Sequence, residues 1–206
     1  MDQSNLVQSA QRGNLEAFNQ LILLYQDRAY STALYLLNSE DCAEDAVQNA
    51  LILAFHSISC FRGGSFQAWL LRILKNVCYD ELRRQKRRCV LPLEPLVDGE
   101  EEFDSPAWMT DHTQNPSGQV EGADLSRAIQ TSLQTLPPEY RLALILVDID
   151  GMDYTEAAAA MGVPMGTVKS RLARARIKMR SKLQRYADLL PEVYTRSSLP
   201  ALSFAH

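Results

Sequence analysis

Apolar side chains recur at three- and four-residue intervals along both ends of this 206-residue chain, and the pattern lapses between them. Leu6, Ala10, Ala17, Leu21, Leu24 and Tyr25 open it, and Ala29, Ala33, Leu34 and Leu37 carry it to Asn38. Residues 4–37 therefore read as helix, broken at Gly13-Asn14. Ser39 starts the next helix, with Asp41, Glu44 and Asp45 in its opening turns, where carboxylates suit the helix dipole. Its inner face is Ala43, Ala46, Val47, Ala50, Leu51, Ala54, Phe55 and Ile58. Two glycines between aromatics, Phe61-Arg62-Gly63-Gly64-Ser65-Phe66, predict a loop. A helix follows from about Gln67 to Arg88, with Trp69, Leu70, Ile73, Leu74, Val77 and Leu82 on its apolar side.

Residues 90–123 break the pattern. Pro92, Pro95, Pro106 and Pro116 interrupt them, and they read as an extended linker largely without secondary structure. Such a length exceeds an ordinary connection inside one domain, so it is expected to separate two helical domains. The pattern resumes at Asp124 through Leu125, Ala128, Ile129, Leu133 and Leu136, breaks at Pro137-Pro138, and runs on from Glu139 to Gly151. The expected class is all-α, with domains at 1–89 and 124–188, the linker at 90–123 and a tail at 189–206.

The stretch from Asp153 to Arg185 carries the sharpest signal. Asp153 suits an N-cap, and Glu156 three residues on completes a capping-box pattern. Ala157 to Ala160 give high helix propensity and a slim face, and Gly162 suits a left-handed helix end. Pro164 fits the first turn of the helix that follows. There Val168, Leu172, Ala175, Met179 and Leu183 form one apolar stripe. The other faces hold Lys169, Arg171, Arg174, Arg176, Lys178, Arg180, Lys182 and Arg185 and no acid. A solvated helix gains from mixed signs, whereas this one repels itself until an anion neutralises it. The pattern is that of a helix-turn-helix whose second helix enters the DNA major groove.

Net charge is −4, which alone argues against a nucleic-acid partner. Its distribution reverses that inference. Residues 94–124 hold nine acids and no Lys or Arg, while residues 125–206 hold eleven basic and seven acidic side chains. DNA responds to the local cationic surface within a Debye length. Cys42, Cys60, Cys78 and Cys89 form no close pair, and His56 with Cys60 makes too few ligands for zinc. No metal or cofactor is expected. The polar opening MDQSNLVQS does not read as a secretory signal, no apolar run suggests a membrane span, and a cytoplasmic location is the expectation.

Two blocks of the chain resemble the extracytoplasmic-function (ECF, group IV) sigma factors, the promoter-specificity subunits of bacterial RNA polymerase. One is DCAEDAVQNALILAFHSISCFRGGSFQAWLLRILKNVCYDELRRQKRR, and the other is LPPEYRLALILVDIDGMDYTEAAAAMGVPMGTVKSRLARARIKMRSKL. The resemblance implies contact with the polymerase core, at the clamp helices of its largest subunit and at its flap. Asp41, Asp45, Gln48, Asn49, Leu51, Ile52 and Phe55 are the docking residues it implies; the family commonly has an acid where this chain has Asn49. Dipole complementation explains the acids equally well. For the promoter −10 element it implies Phe61, Arg62, Gly63, Ser65, Phe66, Arg72, Asn76, Asp80, Arg83, Arg84 and Arg87, with a base turned out of the stack and Arg83, Arg84, Arg87 and Arg88 on phosphates. Trp69 is better read as core. For the −35 element it implies Lys169, Ser170, Ala173 and Arg174 toward base edges, with Tyr154, Thr155, Thr167, Arg171 and Lys178 around them. It also implies an anti-sigma factor as partner, and a linker that threads a cationic polymerase channel; the linker's acids also fit a plain solubilising role.

Two other functions fit parts of the pattern. A dimeric helix-turn-helix regulator needs a self-associating or ligand-sensing domain, and the first block offers a glycine-aromatic loop and a basic helix instead. A nuclease using Asp41, Glu44 and Asp45 with a metal lacks a second ligand cluster.

Overall fold

The computed structural model describes residues 3–89 and 120–184, and every regular element among them is helical. The linker expectation over 90–119 and the tail beyond 184 lie outside the described residues. In the N-terminal block, α1 (Gln3–Gln11) and α2 (Leu15–Leu23) meet at Gly13, whose φ of 88° makes the turn. The Asn14 side chain caps α2 by accepting the Ala17 N–H at 3.1 Å. A second break falls at Leu24-Tyr25, so the stretch expected as one long helix is split into α2 and α3 (Gln26–Leu37). The apolar period runs through that break unchanged, which is why the sequence pattern conceals it.

Asn38 ends α3 in the left-handed conformation, φ 54° and ψ 32°, and Ser39 caps α4 (Glu40–Ser57) by accepting the Cys42 N–H. The alanines at 43, 46, 50 and 54 line the buried side of α4 and let its neighbours approach closely. A single 3₁₀ turn (Ile58–Cys60) leads into the expected glycine loop, and α5 (Phe66–Cys89) follows. At 1.5 Å per residue the 24 residues of α5 extend about 36 Å.

In the C-terminal block α6 (Val120–Gln134) begins four residues before the expected linker boundary. The helix α7 (Pro138–Leu144) passes into a π turn (Ile145–Ile149), where the Asp150 N–H donates to the Ile145 carbonyl at 2.8 Å. Then α8 (Tyr154–Met161) and α9 (Met165–Leu183) form the helix-turn-helix. Asp153 Oδ1 accepts the N–H groups of Thr155 and Glu156 at 2.7 and 2.8 Å, and Gly162 is left-handed at φ 69°. Pro164 is the N-cap of α9, one position before the expected first turn.

The two blocks share a core. One cluster of buried residues runs without interruption from Leu36, Ala43, Leu74 and Cys78 to Leu133, Leu142, Ile145, Ala157, Val168 and Leu172. A smaller one, Leu6, Phe18, Leu21, Ile58, Phe61, Phe66 and Leu70, lies wholly in the first block.

Several polar contacts between the blocks fall on helix ends. The last-turn carbonyls of α3 take donors from the second block: Gln130 Nε2 to Leu34 O at 3.3 Å, Gln134 Nε2 to Tyr35 O at 2.9 Å, and Arg141 Nη1 to Leu36 O at 2.6 Å. In return Lys75 Nζ of α5 donates to Met161 O at the end of α8, at 3.0 Å. Except at Leu34 O, which the Asn38 N–H also reaches at 2.9 Å, each block thus satisfies carbonyls that a helix leaves without intrahelical partners, at the end where the dipole favours cations. Arg141 is 4% exposed and also donates to the Gln134 and Leu136 carbonyls and to Gln134 Oε1. Burial lowers its pKa to about 10, so it stays cationic at neutral pH.

Candidate nucleic-acid interface

On α9 the apolar stripe decides which way the cations point. Val168, Leu172, Ala175 and Met179 are buried, so Lys169, Ser170, Ala173 and Arg174 are turned to solvent together. Two tyrosines seat the basic groups: Lys169 Nζ lies 5.4 Å over the Tyr154 ring, and Lys178 Nζ lies 5.8 Å over that of Tyr140. Arg174 Nη1 donates to the Tyr140 hydroxyl at 3.3 Å. Tyr154 and Thr155 are exposed at the start of α8, and the Tyr154 ring is the one that meets Lys169. Nothing in the sequence ties Tyr140 to this face, because it lies 34 positions from Arg174.

Not every cation of α9 faces outward. Arg176 makes a bidentate pair with Asp148, Nε to Oδ2 at 3.0 Å and Nη2 to Oδ1 at 2.6 Å. The hydrogen bond to Asp148 raises the Arg176 pKa, against a smaller opposing effect of burial. Arg171 is half-buried and close enough to Lys75 and Tyr79 to shift the pKa of each, which puts it on the α5 side of α9. Its expected phosphate role therefore needs it to turn away from where it lies. Thr167 is half-buried, and its carbonyl accepts the Ser170 hydroxyl at 3.0 Å.

The loop after α4 carries the second expected contact surface. Gly63 and Gly64 have φ of 97° and 89°, a conformation side chains rarely adopt, and Gln11 pins the loop by donating to the Phe61 carbonyl at 2.7 Å. Phe61 and Phe66 belong to the expected −10 set, but they are 8% and 1% exposed and offer no open ring face to a base. They pack on each other and on Trp69 with ring centroids 5.4–5.8 Å apart, which also accounts for Trp69 as core. What the loop opens to solvent is Arg62, Gly63 and Gly64, beside an open cleft of 670 Å³ bounded by α1, Tyr25, Gln67 and Glu156.

Along α5, Arg72, Asn76, Asp80, Arg83, Arg84, Arg87 and Arg88 are all exposed. Two of the arginines are paired locally, Arg83 with Asp80 at 3.0 Å and Arg84 with Glu81 at 2.8 Å. Such exposed pairs are worth little and give way readily to a phosphate. Lys75, absent from the expected set, is half-buried on the same helix; burial lowers its pKa, and Arg72 and Arg171 lower it further.

On α4, Asp41, Asp45, Gln48, Asn49 and Ile52 are exposed, with Ile52 at 56% and its neighbour Leu53 at 50%. An acidic first half followed by bare aliphatics suits a protein partner better than water. Leu51 and Phe55 are instead half-buried against the smaller core, Phe55 meeting Phe18 edge-on at 5.1 Å.

A helix-turn-helix with an outward cationic face, joined to a block built from a glycine loop and a long basic helix, defines a DNA-binding transcription initiation factor. Residues 21–88 match the Sigma-70 region 2 family and residues 126–179 match Sigma-70, region 4. The chain belongs to the ECF RNA polymerase sigma factors. It is 36% identical over 182 residues to the ECF RNA polymerase sigma-E factor of Escherichia coli K12, covering 87% of this chain and 93% of that one. It is 34% identical over 175 residues to the ECF sigma factor SigE of Mycolicibacterium smegmatis, covering 84% of this chain and 64% of that longer protein. Among solved structures it is similar to the sigma factor RpoE in complex with the anti-sigma factor NepR from Bartonella quintana (TM-score 0.61, 27% identity, 82% of this chain and 98% of that one). It is also similar to CnrH in complex with the cytosolic domain of CnrY (TM-score 0.63, 26% identity, 87% and 96%). No described helix is long and apolar enough to cross a membrane.

Proposed function

We propose that this chain directs RNA polymerase core to a defined set of promoters, with no catalytic activity of its own. The observation that carries the reading is the division of labour between two surfaces. One is the outward face of α9, where Lys169, Ser170, Ala173 and Arg174 stand together over a buried stripe. The other is the Arg62–Gly64 loop with the exposed side of α5.

The first suits base edges in the major groove of a −35 duplex, Lys169 and Arg174 toward guanine and the Ala173 methyl toward thymine. The second suits a −10 strand whose bases have left the stack, the open cleft beside the loop receiving one of them. The exposed face of α4 docks on the clamp helices of the polymerase's largest subunit, with the second block at the flap. An anti-sigma factor is the natural protein antagonist, and the cytoplasm is where these partners meet.

The test is reconstitution with purified core polymerase on a genomic promoter library. Specific transcripts are expected only when chain and core are both present. Sequence-specific duplex binding by a dimer, with no effect on core polymerase, would favour the helix-turn-helix regulator instead.

A further inference from the structure

We propose that Ile177 is a further base-reading position of α9, set against the 5-methyl group of a thymine in the −35 duplex. This rests on the reading of α9 as the −35 helix and carries it nearly one turn further along.

Ile177 is 69% exposed, the most of any large apolar side chain among the described residues. Single exposed aliphatics are common on protein surfaces, so exposure alone assigns nothing. Its place on the helix does. At 3.6 residues per turn, Ile177 stands about 20° around the axis from Ser170, on the far side from the buried Val168 and Met179. Ser170, Ala173, Arg174 and Ile177 therefore share one outward strip, spaced i, i+3, i+4 and i+7, and all four are exposed. The recognition helix of a homeodomain reads the major groove with residues at that same spacing. From Ser170 to Ile177 the strip rises about 10 Å, roughly three base-pair steps, within the reach of one groove.

The surroundings select DNA over a protein. Arg174, Lys178 and Arg180 flank Ile177 and are exposed, and α9 holds no acid. Arg174 and Lys178 are both held by Tyr140 on one side of the strip, so neither covers Ile177. An apolar protein face would strip water from these cations without pairing them. A duplex supplies phosphates for the cations and, within the major groove, one methyl group per thymine. Cytosine presents an amino donor there instead, which isoleucine leaves unpaired, so the contact favours thymine.

The full chain with core polymerase first selects promoters from a pool randomised across the −35 region. Each thymine of the selected site is then replaced singly by deoxyuridine, which removes the 5-methyl group and keeps the base pairing, and affinity is read by anisotropy competition. One replacement should weaken the wild-type complex about two- to fivefold, the size expected of one buried methyl, and leave that of Ile177→Ala unchanged. Ile177→Val keeps the branch and should retain most of the sensitivity. The sensitive thymine should lie one or two positions from the base whose choice Arg174→Ala relaxes. Alanine is the better helix former, so a loss in Ile177→Ala does not come from a frayed helix.

Equal sensitivity of wild type and Ile177→Ala to every deoxyuridine, or a selected site with no thymine beside the base read by Arg174, overturns the proposal. So does a loss in Ile177→Ala that is the same on every duplex, which marks a contact with the polymerase. If no −35 sequence is selected at all, the reading of α9 itself has failed; a selected sequence without an Ile177-dependent thymine refutes this inference alone.

Discussion

Arg141→Met should cost the folded protein about 2–4 kcal/mol, although the position touches neither expected DNA surface. The guanidinium is buried, and it joins the end of α3 to the α6–α7 corner through Leu36 O at 2.6 Å, Gln134 O at 2.9 Å and Leu136 O at 3.1 Å. Methionine keeps most of the aliphatic stem and removes every donor. Two of those bonds, to Leu36 O and Leu136 O, are buried, and each stranded carbonyl costs about 1–3 kcal/mol. The variant no longer has to bury a cation, which offsets part of that loss. Urea titration followed by circular dichroism measures the difference, and thermal unfolding should show a midpoint lower by roughly 5–15 °C. Arg141→Lys keeps the charge, but one ammonium cannot reach the carbonyls of both blocks, so it should recover less than about half of the stability. A loss below about 0.5 kcal/mol for the methionine variant would refute the claim that this side chain holds the two blocks together.

Asp150 accepts a hydrogen bond from Thr32 of the other block at 3.1 Å, and burial raises its pKa from 3.8 to about 6 despite that bond and the nearby Arg28. The folded state therefore holds the proton more tightly, so this group's contribution to stability falls as pH rises from about 4 to about 6 and is constant above that. Asp150→Asn should remove that slope and, after allowance for solvent screening, gain on the order of 1–2 kcal/mol at pH 7.5; an unchanged wild-type-minus-variant difference across the window would contradict it. Arg176→Met should leave the Asp148 carboxylate, only 11% exposed, without its partner and destabilise by about 1–3 kcal/mol, read by urea titration, while duplex binding changes little. Arg174→Ala should weaken −35 duplex binding by about 1–3 kcal/mol and relax base choice there, measured by anisotropy against a panel of substituted duplexes. Replacing Asp45 and Gln48 together with Ala should reduce affinity for core polymerase by roughly tenfold or more in a pull-down titration, with duplex binding retained; unchanged polymerase affinity would remove α4 from the docking surface.

The helices, most of their caps and the orientation of α9 were legible in the sequence because they are local. A capping aspartate needs only the next three residues, and an apolar stripe at helical spacing sets which cations point outward. Family membership was legible for the same reason, since both motifs are contiguous. The local pattern could not show the break at Leu24-Tyr25, which leaves the apolar period intact, nor the burial of Phe61 and Phe66, whose flanking glycines equally suit a loop with exposed rings.

What only the tertiary structure decided is how the two blocks meet. Gln130, Gln134 and Arg141 read as ordinary polar positions of their own helices, and Lys75 as one more cation on α5. Their partners are carbonyls 96 to 105 positions away along the chain, or 86 for Lys75. Every residue type offers the same carbonyl, so no sequence pattern marks the one that will be met. Packing alone selects it, by bringing the open end of one block's helix against the donors of the other.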